Sequence, residues 1–433
     1  MTMHTEGLHL EQAPPLAIPL SFFLSAPIAV VGAGLLLLIG GSGALTTSWA
    51  PLTLSLTHLG TLGLLAMVMM GALYQMTAVV AGSPVPRVRL AYAVHPLFVL
   101  GVVCLCWGTA SVSAGLVAFA IGPLGVALLL FLIPVGTALH RAPTRNQTVL
   151  GMLLAVTCFG IAAVLGILMA FGHGGLGFPG PRPLWTQVHL SVALLGWVGG
   201  LLSAVSWQVL PMFYLAAPVP RIYKLAIPWL IGAGVALPLV VLLVDGFGSL
   251  GGAGGRSQQL AALGALPALV AVWGLHPLAS LRSLASRRRR RSDGSLLFWR
   301  SGLLVAPAVA LCAGAASLAS DPRWGLLFGW LALWGWAGMV VHGMLTRIVP
   351  FLVWFHRFAP LVGRQRVPAA RSLLPDRWVR RSYGLHVLTL FVGIGAIGLG
   401  GDGPARVLGA SLLATGAGLF SLLVHVARQR PAA

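Results

Sequence analysis

The stretch HLSVALLGWVGGLLSAVSWQVLPMFYLAAPVPR, His189 to Arg221, repeats the plan of HLGTLGLLAMVMMGALYQMTAVVAGSPVPR, His58 to Arg87. Both open on His-Leu, both carry an aromatic-Gln pair (Tyr74-Gln75 and Trp207-Gln208), and both close on Pro-Val-Pro-Arg. Each contains an apolar run long enough for a membrane-crossing helix, which takes roughly 20 residues for a hydrocarbon core about 30 Å thick. A fainter third copy, HGMLTRIVPFLVWFHR from His342, puts Thr346-Arg347 at the aromatic-Gln position and echoes VLPM (209–212) with IVPF. The copies lie in the second, sixth and tenth apolar stretches, so the repeating unit is four helices. Three such units with corresponding helices running the same way imply a pseudo-threefold axis along the membrane normal, not an inverted repeat.

The rest of the chain agrees with a membrane solvent. Of 433 residues 58% are hydrophobic and only 8% charged, whereas a water-soluble surface uses about a quarter charged residues. Twelve apolar stretches reach spanning length, at 20–40, 53–81, 90–109, 112–138, 148–172, 185–214, 223–244, 260–281, 297–319, 324–354, 383–400 and 404–426. Helices are expected, because only helices and closed barrels satisfy their own backbone in lipid. The expected organisation is a tail at 1–19, one twelve-helix domain at 20–427 with repeat units near 20–140, 148–282 and 297–427, and a tail at 428–433. The N-terminal segment lacks the basic region of a signal peptide, so the first helix is expected to be retained.

The net charge of +20 follows the loops. Arg87 and Arg89, Arg141 and Arg145, Arg221 and Lys224, the run Arg287 to Arg291, and Arg357 through Arg381 all follow even-numbered helices. The opposite loops hold only Arg182, Arg256, Arg323 and Arg406. By the positive-inside rule both termini are cytoplasmic. The basic run reads as a topology anchor at anionic headgroups, so the lipid bilayer, not nucleic acid, is the expected partner. Cys104, Cys106, Cys158 and Cys312 fall in apolar helices with no metal or disulfide spacing and read as small buried hydrophobes.

Twelve helices in three four-helix arcs are the architecture of the heme-copper oxidase catalytic subunit. The segments GALYQM, GWVGGLLSAVSWQVLPMF and GMLTRIVPFLVWFHR resemble proteins described as subunit I-like of cbb-type oxidases. More distantly they are similar to the NnrS family of heme- and copper-containing membrane proteins linked to nitric oxide stress. The resemblance implies a bacterial cytoplasmic-membrane protein with heme b, an oxidoreductase if it is an enzyme, served by a cytochrome or quinol electron donor.

Histidines are the only metal ligands available in number, and a heme in a helical bundle needs one or two facing a common cavity. His58 and His189 lie in the outer parts of helices two and six, about 3 Å apart in depth by the repeat alignment, and are the leading ligand pair. His342, in helix ten, is an alternate or second ligand. Counted from Arg347 it lies about 12 residues deeper than His58, roughly 18 Å along an unbroken helix, so the two do not bridge one heme. His95, His140, His276, His386 and His425 read as helix-end residues.

Arg347 is the charge farthest inside an apolar run; Lys224, Arg300 and Arg406 stand within the first four residues of theirs. It either snorkels to the headgroups or pairs with a carboxylate such as a heme propionate or an anionic substrate. Gln75 and Gln208 sit at the equivalent depth and either complete a polar layer or tie helices together.

Departures from the oxidase pattern are equally informative. Helix seven, KLAIPWLIGAGVALPLVVLLV, has no histidine, and the residue four after His189 is Ala193, not tyrosine. The tenth helix lacks His-x-His, and the acidic residues are all in tail or loops. A copper centre and oxygen reduction coupled to proton pumping are therefore not expected. The expected function is electron transfer, or sensing or detoxifying a diatomic gas such as nitric oxide or oxygen. The alternatives are a heme-free transporter or channel for a small anion or metal ion, and a non-catalytic oxidase-like assembly protein.

Overall fold

The computed structural model describes residues 12–178, 180–246, 254–288 and 293–431. His4 and His9 of the tail and Arg289, Arg290 and Arg291 of the basic run lie outside the described residues. Twelve helices are long and apolar enough to cross a membrane: α1 Ala17–Leu45, α2 Pro51–Val79, α3 Val88–Ala110, α4 Ala114–His140, α5 Gln147–His173, α6 Arg182–Tyr214, α7 Arg221–Asp245, α8 Gly255–Ala285, α9 Gly294–Leu318, α10 Arg323–Arg357, α11 Asp376–Leu399 and α12 Asp402–Arg428. No strand occurs among the described residues. The protein is an all-helical multi-pass membrane protein by the length and composition of these helices.

Several boundaries fall where polar residues can satisfy the first-turn N–H groups. Ser113, Asn146 and Asp293 accept from the backbone N–H three residues on, starting α4, α5 and α9. The clear departure from the sequence reading is α11, which begins at Asp376 and not near 383. By sequence the basic residues Arg377, Arg380 and Arg381 read as a loop. Arg380 is instead held by Asp376 one turn earlier, at 2.6 Å, which makes it a helix surface. Of the described acids, Asp245, Asp376 and Asp402 are terminal residues of helices, Asp293 is a cap and Asp321 lies between helices; none is in the interior of a span.

The chain forms two compact units. The first holds Leu73–Arg289, and the second holds Pro15–Ala72 with Arg290–Ala433. Within the second unit the first and last helices pack by backbone contact. A β-carbon at Gly34 would lie 2.6 Å from the Gly409 carbonyl oxygen, and one at Gly409 would lie 2.8 Å from that of Gly34. Gly416 is equally close to Val31 and Pro27. This small-residue seam is how membrane helices associate where burial from water gives no drive. Within the first unit, two glycines of α6 face side chains instead, Gly196 against Cys158 of α5 and Gly199 against Val272 of α8.

Four helices contain a π-helical segment: Leu59–Ala66 in α2, Ser191–Gly199 in α6, Ala271–Leu275 in α8 and Leu331–Gly338 in α10. Those of α2, α6 and α10 end at Ala66, Gly199 and Gly338, nine residues before Gln75, Gln208 and Arg347 in each case. The register in which the sequence aligns these three helices is thus repeated by the backbone. π segments concentrate at functional sites, and the first two begin one and two residues after His58 and His189.

Candidate histidine sites in the two units

His58, in the second unit, is half-buried at the end of the first α-helical stretch of α2. Its Nδ1 meets the Leu54 carbonyl oxygen at 2.8 Å. A carbonyl only accepts, so Nδ1 carries the proton, and in the neutral ring Nε2 carries the lone pair. That tautomer, fixed by a backbone carbonyl, is the state in which histidine ligates a metal.

His189 belongs to the first unit and is half-buried in α6. Its ring lies over Gly166 of α5, where a β-carbon would stand 3.1 Å from Cε1. Any side chain at 166 would crowd the imidazole.

His342 and His386 form the most developed cluster, inside the second unit. They are 3% and 1% exposed, and their Nδ1 atoms are 3.0 Å apart. His386 Nε2 meets the Trp334 carbonyl oxygen at 3.1 Å, and His342 Nε2 meets Ser382 Oγ at 2.8 Å. These contacts determine the proton positions in neutral rings. His386 donates from Nε2 to the carbonyl and so accepts at Nδ1. His342 donates to it from Nδ1, and the Ser382 hydroxyl donates to His342 Nε2. The chain of donors runs one way, from Ser382 to the Trp334 carbonyl.

Aromatic rings hold both imidazoles. Trp334 stacks on His386 at 4.1 Å between centroids, and Phe298 on His342 at 4.5 Å. A small cavity beside them, lined among others by Trp334, Gly338 and Thr415, has room for about one water. Among the described residues no group of three or more His, Cys, Asp and Glu could hold a metal ion.

Arg347 is paired with a protein carboxylate: its Nη1 lies 3.3 Å from Asp293 Oδ2, with each side chain 21% exposed. Asp293 also accepts from Ser295 Oγ and Leu296 N, and Asp376 accepts from Gly294 N, so the guanidinium joins a cap that starts α9. Gln75, in the first unit, is 6% exposed, and neither amide atom has a hydrogen-bond partner among the described residues. Gln208 is half-buried.

Two histidines assigned to helix ends by sequence are instead buried in helix interiors. His386 is in the middle of α11 because that helix starts at Asp376. The Ser382-x-x-x-His386 spacing, one helical turn, was the available signal. His276 in α8 is 1% exposed, and its Nε2 lies 3.2 Å from Ser206 Oγ of α6.

Compared with protein-family models and with curated proteins, the chain matches none.

Proposed function

We propose that this chain is a heme b-binding protein of the bacterial cytoplasmic membrane, built on an oxidase-like plan of three arcs with both termini cytoplasmic. It works in electron transfer, or in sensing or detoxifying a diatomic gas, with a cytochrome or quinol as donor and without a copper centre. The observation that carries this reading is His58, whose proton is held on Nδ1 by the Leu54 carbonyl oxygen at 2.8 Å, the tautomer in which Nε2 is the nitrogen that would ligate an iron. The π segment that follows it recurs after His189 in α6. His189 is the second candidate ligand, and Gly166 supplies the space its ring occupies.

His342 is not in this ligand set. Both of its nitrogens are held by protein, Nδ1 by His386 and Nε2 by Ser382. Arg347 is likewise held by Asp293 and does not enter the set as a propionate partner. A bound heme would supply one-electron chemistry and an iron coordination site for a diatomic gas. The protein's part is to present His58 Nε2 in one tautomer.

The test is the reduced-minus-oxidised optical spectrum and pyridine hemochrome content of the purified full chain, made in heme-replete cells, beside His58→Ala and His189→Ala. A stoichiometric b-type spectrum that is lost in His58→Ala is expected. Folded, colourless wild-type protein overturns the reading.

A second reading, a heme-free transporter or an oxidase-like assembly protein, is favoured by one observation. Ser382, His342, His386 and the Trp334 carbonyl form a closed chain of hydrogen bonds that ties α10 to α11 and engages both nitrogens of each imidazole. Colourless protein with unchanged helix content moves the assignment there.

A further inference from the structure

The first unit contains a line of buried polar side chains that neither reading uses. On α6, Ser203 and Ser206 are 1% and 0% exposed; on α8, His276, Ser280 and Ser283 are 1%, 0% and 3% exposed. Two contacts set the register of the helices. Gly199 abuts Val272, where a β-carbon would be 2.6 Å from Cγ1, and one to two turns further on His276 Nε2 meets Ser206 Oγ at 3.2 Å. Ser203 therefore faces the level of His276, and Ser280 continues the same face one turn on.

The protons in this layer can be placed. Ser206 Oγ donates its single proton to the Ser203 carbonyl oxygen at 2.7 Å, so toward His276 it is an acceptor and Nε2 is the donor. In a neutral imidazole that leaves an unprotonated Nδ1. His276 Nδ1, Ser203 Oγ and Ser280 Oγ are all buried and without a hydrogen-bond partner among the described residues. These three atoms lie within a layer two helical turns long, and buried polar groups are paired with protein or with ordered water, most strictly inside a membrane.

We propose that this layer is a hydration site, in which one ordered water donates to His276 Nδ1 and others bond the Ser203 and Ser280 hydroxyls. The chemistry selects water. The site offers one bare acceptor and two hydroxyls that both give and take, with no charged side chain among them. The site is independent of the heme assignment and is tested equally well on colourless protein.

The experiment is hydroxyl-radical labelling by millisecond X-ray radiolysis of the full chain, after rapid mixing into ¹⁸O-water. Trp273, 2% exposed, stands three residues before His276 on α8 and is the reporter for water held in the layer. The loop residue Trp49, 51% exposed, is the control for bulk solvent. Labelling of Trp273 above that of the comparably buried Trp185 and Trp299 is expected, reduced at least threefold in Ser203→Ala/Ser280→Ala. Labelling no higher than at Trp185 and Trp299 overturns the proposal.

Thermal unfolding gives the second arm. Removing a hydroxyl that binds water lowers the midpoint, whereas removing an orphan raises it. Lower midpoints in Ser203→Ala and Ser280→Ala support the site, and raised or unchanged midpoints in both count against it.

Discussion

His342 and His386 illustrate how much one buried imidazole depends on the next. Replacing His386 by Phe leaves the His342 Nδ1–H facing a ring carbon in place of the nitrogen now 3.0 Å away, and an unpaired buried donor costs about 1–3 kcal/mol. Replacing both by Phe removes the donor and the acceptor together. The double variant is therefore expected to be less destabilised than the sum of the singles, read as non-additive midpoints in a thermal double-mutant cycle. Additive midpoints would mean that the Nδ1 contact contributes nothing. Ser382→Ala should cost about 1–3 kcal/mol by the same argument. At Gly166 the effect is steric: Gly166→Leu should displace the His189 ring, whose Cε1 would be 3.1 Å from the new β-carbon. A wild-type spectrum in the Gly166→Leu variant would remove His189 from the ligand set.

At the scale of elements, the seam between α1 and α12 is sensitive to single methyl groups. Gly409→Val puts a β-carbon 2.8 Å from the Gly34 carbonyl oxygen and should cost about 1–3 kcal/mol, the range for overpacking. Gly403→Ala, in the same helix with nothing within 4 Å, should be neutral or slightly stabilising. Equal midpoints for the two variants in detergent would dismiss the seam.

The twelve helices were legible because apolar length is a direct consequence of the solvent, and the repeat was legible because His-Leu and Pro-Val-Pro-Arg bracket it twice. The His342 and His386 pairing was not. It depends on where α11 begins, and Arg377, Arg380 and Arg381 read as loop until Asp376 is seen one turn before Arg380. The partner of Arg347 was hidden for a related reason. Asp293 stands outside every apolar run yet reaches the guanidinium as the cap of α9, and a contact between residues so far apart in the chain leaves no periodicity to read. The tautomer of His58 is a local contact to Leu54, invisible until the ring's rotamer is known.

For the whole molecule, the alternation of basic loops predicts that tags on the N- and C-termini are reached from the same, cytoplasmic side. Protease accessibility in sealed vesicles of known orientation checks this; tags on opposite faces would require an odd number of spans. The second unit also takes its helices from both ends of the chain, and its first helix meets its last at Gly34 and Gly409. During synthesis α1 enters the bilayer with that glycine face bare, and its partner emerges only some 375 residues later, a delay of roughly 20–75 s at about 5–20 residues per second. The first unit can assemble in that interval. The second cannot close until translation is nearly over, so a ribosome that stalls before Asp402 leaves α1 with an unmatched seam for membrane quality control to recognise.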